Sequence, residues 1–289
     1  MNTRPLGPDD IEALCALVDR DHLPGQPPCT PDRVRTALAG RSTTDPWWWR
    51  ELATMRTIGV EGADGSLVGA GALGRRRTGD RYLLWLHAGE DPQLVEAVLW
   101  PLLRGIRRGD PVFAFWSATE LSVGLEGLPR QHRPATHEAL LARGFTGEDR
   151  WLYLTGPSAA EKPETPYRRR GHGADLRVEL EVDGRPAGGA ELSLPAPGVG
   201  VVWWLEIEPE YRRRGLGRQL LRAARSVLAE EGAHDVVMFV DHDDPTARDR
   251  GPALELYLAE GFTVVDHLWS YRRGEGEAQP GGSRGGGNG

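Results

Sequence analysis

The feature that most limits how this chain can fold is that it repeats itself, with a spacing just under 120 residues. VEGADGSLVGAGAL around Asp64-Gly65 resembles LEVDGRPAGGAEL around Asp183-Gly184. Each reads as a strand, a glycine-containing hairpin turn and a second strand. RYLLWLHA (81–88) is matched by VVWWLEIE (201–208), both near-continuous apolar runs suited to a central strand. An amphipathic helix pattern follows each run, LVEAVLWPLLRGI from Leu94 and LGRQLLRAARSVLAEEG from Leu216. Strands VFAFW (112–116) and VVMFV (236–240) come next, and LLARGFTGEDRWLYL (140–154) corresponds to YLAEGFTVVDHLWSY (257–271). Six elements in one order, at consistent offsets, specify two copies of one α/β unit.

The expected organisation is a first unit over 1–155, a linker over 156–173, a second unit over 174–273 and a disordered tail over 274–289. The linker is rich in Pro, Gly and charge, and the tail has almost nothing to bury. The first copy also carries helical segments near 8–19 and 31–39 that the second lacks. Trp47-Trp48-Trp49 precedes the first hairpin and is read as packing between layers.

The net charge of −7 argues against a general nucleic-acid binder. No apolar run approaches the roughly 20 residues that span a bilayer, and the start MNTRPLGPDDIEAL carries no signal-peptide core, so the expected location is cytoplasmic, with no membrane partner. Cys15 and Cys29, the two cysteines, are expected as free thiols, one on a helix and one in a loop. The cations are almost all arginine, with Lys162 the single lysine.

The most informative segment runs from Leu205 to Arg218. A buried strand meets Pro209, which cannot donate to a sheet ladder, and after a short turn Arg-x-x-Gly-x-Gly opens an amphipathic helix. A helix amino terminus offers unpaired N–H groups and positive dipole character, which suits a pyrophosphate. Gly215 and Gly217 let the backbone approach a ligand, and Arg212, Arg213, Arg214 and Arg218 add charge-assisted donors. Tyr167-Arg168-Arg169-Arg170-Gly171-His172-Gly173 fits the same pattern, but it lacks the strand before and the helix after, so it is rejected.

LEIEPEYRRRGLGRQLL resembles motif A of the GNAT acetyltransferases, and ALELYLAEGF (253–262) resembles that family's carboxy-terminal signature. The resemblance implies an α/β fold with a mixed sheet (α+β), present here as two tandem GNAT-like units, and acetyl-CoA as cosubstrate. It implies that acetyl-CoA lies between two splayed parallel strands, its pantetheine pairing with backbone near Leu205 and Ile207. The turn Arg212, Arg213, Arg214, Gly215, Leu216, Gly217, Arg218 would wrap the pyrophosphate. It also places Tyr257 where the family has a tyrosine that protonates the departing thiolate.

The base is read from the residues themselves. Glu206 is the odd residue in an apolar strand, and an unpaired buried carboxylate there would be costly and have a raised pKa. Asp241, His242, Asp243 and Asp244 cluster at the end of the next strand, making Asp241 the second candidate. That run supplies no second cluster at metal-ligand spacing, so no metal site is expected. In the first half the phosphate turn is replaced by His87-Ala88-Gly89-Glu90-Asp91-Pro92 and the tyrosine by Leu140. It is therefore expected to keep the fold without the cofactor turn. The expected function is transfer of an acetyl group to a primary amine of a small molecule or peptide. The alternative is a non-catalytic acyl-CoA-binding or regulatory module.

Overall fold

The computed structural model describes residues 1–107, 109–122, 125–158, 161–172, 175–241 and 251–275. The chain forms two compact units. Unit 1 comprises Met1–Leu23, Pro28–Arg150 and the segment from His267 onward; unit 2 comprises Pro24–Pro27 and Trp151–Asp266.

In chain order the elements up to residue 150 are β1 (Asn2–Arg4), α1 (Ile11–Asp19), α2 (Pro31–Leu38), α3 (Pro46–Trp49), β2 (Leu52–Glu61), β3 (Leu67–Arg76), β4 (Arg81–His87), α4 (Pro92–Leu103), β5 (Val112–Ala114), β6 (Leu128–Pro129), α5 (Pro134–Ala142) and the start of β7 (Thr146–Pro157). Then follow β8 (Tyr167–His172), β9 (Asp175–Val182), β10 (Arg185–Ala196), β11 (Val199–Ile207), α6 (Leu216–Glu230), β12 (Asp235–Asp241), α7 (Gly251–Ala259) and β13 (Thr263–Arg273).

Unit 1 orders its strands β1-β2-β3-β4-β5-β13, with β4 and β5 parallel and the pairs β1–β2, β2–β3, β3–β4 and β5–β13 antiparallel. Unit 2 orders them β7-β12-β11-β10-β9-β8, with β11 and β12 parallel and the pairs β7–β12, β11–β10, β10–β9 and β9–β8 antiparallel. Both sheets are therefore mixed. Unit 1 takes its last strand from the far end of the sequence, where Tyr271, Arg272 and Arg273 pair with Ala114, Phe113 and Val112. In unit 2, Trp151–Pro157 pairs antiparallel with β12.

Local chemistry accounts for the second hairpin. Asp183 (φ 51°) and Gly184 (φ 73°) both take the left-handed region that a two-residue turn requires, with Val182 paired to Arg185. Helix α6 buries Leu220, Leu221, Ala224, Val227 and Leu228, each larger side chain contributing about 1.5–3 kcal/mol. It ends where Gly232, at φ 91°, lets Ala233 N–H return to the Leu228 carbonyl.

Part of the segment read as a linker is ordered as β8, the edge strand of unit 2. The look-alike arginine run lies on this strand, where Arg168 pairs with Glu181, Arg170 with Glu179 and Arg169 with Glu231. Charged pairs of this kind blunt a sheet edge against further pairing. Trp48 and Trp49 are buried, Trp48 meeting Tyr82 edge-on at 5.0 Å, while Trp47 is exposed. Cys15 on α1 and Cys29 in the following loop are free thiols. From residue 276 onward the expected tail lies outside the described residues.

Candidate functional site

In unit 2, β11 and β12 are paired from Val199↔Asp235 to Val202↔Met238 and no further. Beyond that point β11 stays bonded to β10 as far as Ile207↔Gly188, and β12 stays bonded to β7 as far as Asp241↔Trp151. The two parallel strands thus separate into a wedge-shaped opening, with Trp203–Ile207 on one side and Phe239–Asp241 on the other. The bend has a local cause. Glu191 pairs with Trp204 and Leu192 with Val202, so Trp203 is an extra residue, a β-bulge. Trp203 is fixed there by an Nε1–H donated to Ser193 Oγ (2.7 Å) and by stacking on Phe239 (5.9 Å, 17°).

The strand delivers the chain into a turn of unusual backbone. Arg213 has φ 60° and Gly215 φ 76°, two left-handed residues separated by one. Such alternation aims successive N–H groups into a common concavity. Among the described residues, the N–H groups of Arg213, Arg214, Gly215, Leu216 and Gly217 donate to no backbone carbonyl. Gly215, the N-cap of α6, provides no side-chain cap either. The run of open amides is bounded by Arg212 N–H, donated to Pro209 O (3.3 Å), and Arg218 N–H, donated to Gly215 O (3.2 Å). The turn from 212 to 215 is exposed. Five open donors at a helix start, with guanidinium groups beside them, fit a diphosphate.

The arginines differ in what they hold. Arg212 Nε donates to the Ile207 carbonyl (2.9 Å), and its Nη2 lies 3.2 Å from Glu206 Oε1. Glu206 is consequently neither buried nor unpaired: its side chain is 35% exposed and ion-paired, which removes the premise that it sits as an isolated carboxylate in an apolar strand. Arg214 lies over the Tyr211 ring at 5.5 Å. Asp241 is half-buried at the end of β12. His242, Asp243 and Asp244 lie outside the described residues.

Tyr257 is buried on α7, its ring 6.3 Å from Phe262. Gly217 shows how the elements converge. A Cβ placed there would lie 3.3 Å from Leu256 Cδ2 and 4.0 Å from Ile207 Cγ1, so the opening of α6, the end of β11 and helix α7 meet at one point. Glu260, a residue not singled out in the sequence, ties this corner together. It takes a bidentate bond from Arg222 and pairs with Arg218 Nε at 3.1 Å, while its carbonyl accepts Arg225 Nη1 (2.9 Å). The signal was the i, i+4, i+7 spacing of Arg218, Arg222 and Arg225, which puts three guanidinium groups along one helical face.

The corresponding position in unit 1 is filled by the chain's own side chains. Asp91, the N-cap of α4, accepts the N–H groups of Gln93 (2.8 Å) and Leu94 (3.1 Å). Gly89 and Glu90 are both left-handed at φ 56°. The Glu90 carboxylate accepts Arg133 Nε (2.5 Å), Thr136 N–H (3.0 Å) and Thr136 Oγ1–H (2.6 Å). Behind it His87 Nδ1 lies 2.9 Å from Asp21. Leu140 is fully buried in the core of this unit.

Residues 145–261 match the acetyltransferase (GNAT) family. The GNAT match covers the wedge, the turn and α7. A mycothiol acetyltransferase from Clavibacter sepedonicus is 31% identical over 160 residues, 51% of this chain and 49% of its own length. One from Pseudarthrobacter chlorophenolicus is 29% identical over 217 residues, 68% of this chain and 61% of its own. The chain thus spans about half to three-fifths of the length of these relatives. Among solved structures, a tandem GNAT protein from the clavulanic acid biosynthesis pathway superposes with a TM-score of 0.62 at 15% identity, covering 96% of this chain and 99% of that one. A GCN5-related N-acetyltransferase from Sphaerobacter thermophilus gives 0.59 at 15% identity, covering 94% and 95%. These likenesses establish a shared fold: a mixed α/β architecture of the GNAT type.

Proposed function

We propose that the chain is an acetyl-CoA-dependent N-acetyltransferase that acylates a primary amine of a small molecule, with its donor site in unit 2. The observation that carries this reading is the set of open backbone amides from Arg213 to Gly217, placed where the parallel strands part. The family match over 145–261 supports it. The mycothiol acetyltransferase relatives support a small-molecule acceptor over a peptide.

Bound acetyl-CoA supplies an activated thioester. The amides of residues 213–217 and the guanidinium groups of Arg213 and Arg214 hold its diphosphate. Arg212 and Arg218 act differently, Arg212 by bracing the end of β11 and Arg218 by docking α6 on Glu260. The β11 backbone around Leu205 and Ile207, beyond the last residue paired with β12, orients the pantetheine arm. Glu206 accepts the proton that the amine must lose before or during attack, and Tyr257 Oη holds the proton given to the departing sulfur, since a neutral thiol leaves more readily than a thiolate.

Unit 1 is read as a degenerate copy without a donor site, because Asp91 and Glu90 occupy the amides and the charge that a diphosphate would need. The test is a panel of amines assayed for free CoA release, combined with calorimetric titration of the full chain by acetyl-CoA. One site per chain, lost in Gly217→Glu together with turnover, is expected. A full-strength site remaining in Gly217→Glu would overturn the assignment to unit 2. Tight binding with no turnover on any amine would favour a non-catalytic acyl-CoA-binding module.

A further inference from the structure

We infer that unit 1 carries a second anion site, unrelated to the donor site, that takes a small phosphate-bearing ligand. A cleft of about 310 Å³ opens on the sheet of this unit, lined by Thr54 and Arg56 of β2, Arg75 of β3, Arg81 of β4, and Arg104 and Gly105 after α4. Among the described residues four arginines line it and no carboxylate does. Leu73 and Ile106 supply an apolar floor.

The sheet register makes this arrangement costly without a ligand. Arg75 stands directly opposite Arg81 on the neighbouring strand, and on its other side opposite Thr54. Like charges facing each other across a strand pair are destabilising. The chain as a whole has 42 acidic against 35 basic residues, so a surplus of cations at one spot is not a general excess.

Two of the four arginines are held in place by the fold. Arg56 Nη2 donates to the Pro101 and Leu102 carbonyls at the end of α4, and Arg81 Nη1 is 3.5 Å from Asp110. Among the described residues Arg75 and Arg104 make no ion pair. The result is two positioned guanidinium groups and two uncommitted ones around one opening, with the Thr54 hydroxyl as a further donor. Planar guanidinium forks match the paired oxygens of phosphate, and several together favour a ligand with more than one negative charge. The volume lies at the small end of ligand pockets, the size of a diphosphate or a phosphorylated small molecule.

The test is calorimetric titration of the full chain with inorganic pyrophosphate, in the Gly217→Glu background so that the turn before α6 does not contribute. Saturable binding is expected, weakened about tenfold or more for each guanidinium removed in Arg75→Gln and Arg104→Gln. Arg168→Gln, on the edge strand of unit 2, should leave it unchanged, and Arg75→Gln, which relieves the repulsion from Arg81 across the strand pair, should melt no lower than the parent. Absence of saturable binding, or equal weakening by Arg168→Gln, overturns the site. Tighter binding of a short DNA duplex than of pyrophosphate, lost in the same two variants, overturns the small-ligand assignment.

Discussion

Arg212 reaches back from the turn to the strand that precedes it, its Nε 2.9 Å from the Ile207 carbonyl and its Nη2 3.2 Å from the Glu206 carboxylate. One guanidinium therefore fixes both the angle at which β11 meets the turn and the direction of the proposed base. Glu206→Gln should lower kcat by about 10²–10⁴-fold with little change in KM for acetyl-CoA. Arg212→Gln should raise that KM, because the turn loses its brace. Initial rates of CoA release measure both, and wild-type kcat in Glu206→Gln would remove Glu206 from the chemistry.

Tyr257→Phe leaves the packing against Phe262 intact and deletes one hydroxyl. The expected outcome is a fall in kcat of about 10²-fold or more, with melting temperature and KM for acetyl-CoA nearly unchanged. Unaltered turnover would return Tyr257 to the core as an ordinary aromatic.

Gly215 caps α6 at φ 76°, where a Cβ is disfavoured by about 1–2 kcal/mol. No heavy atom lies within 4 Å of a Cβ built there, so Gly215→Ala acts through the backbone alone. It should weaken acetyl-CoA binding by calorimetry more than it lowers the melting temperature of the chain.

Asp91→Ala frees the first amides of α4 in unit 1. Loss of such a cap costs about 1 kcal/mol. A unit of this size should then melt roughly 2–4 °C lower in a thermal scan.

Burial pushes the His87 pKa down, and the hydrogen bond it makes to the Asp21 carboxylate recovers only part of that shift. The unfolded chain therefore binds this proton more readily than the folded one. The stability involved is present above the ordinary histidine range near 6.5 and is lost as pH falls below it. For Asp21, burial pushes the pKa up but is outweighed by Arg133 and His87, so the net shift is downward and its own loss falls at a lower pH, beneath the carboxylate range. Denaturant midpoints between pH 5 and 7.5 should decline toward acid in the wild type, and less steeply in His87→Gln. Parallel curves would show that this histidine does not set the slope.

The hairpins, the long helix and the turn before it were legible because their signals are local: Asp-Gly for a two-residue turn, a 3.6-residue apolar period, a proline that ends a strand. Strand partners were not. Nothing in the composition of 151–157 or 267–273 says which sheet each will complete, since β-pairing is decided by surfaces remote in sequence. The edge strand β8 was hidden for the same reason, its Pro- and Arg-rich stretch becoming ordered only against Glu179 and Glu181 of its neighbour. Glu206 was misjudged because β11 is buried only as far as Val202; from Trp203 to Ile207, where it no longer pairs with β12, it is half-buried, so a carboxylate there can reach a partner.

In unit 1, β5 has β4 on one side and Tyr271–Arg273 on the other. Synthesis delivers that second neighbour more than a hundred residues after the rest of the unit, on the order of ten seconds later at ordinary translation rates. Throughout that interval the nascent amino-terminal half exposes a bare strand edge of Val112, Phe113 and Ala114, so the first part of the polypeptide to emerge is not the first part able to finish folding. A chaperone acting on this protein would have its longest task there.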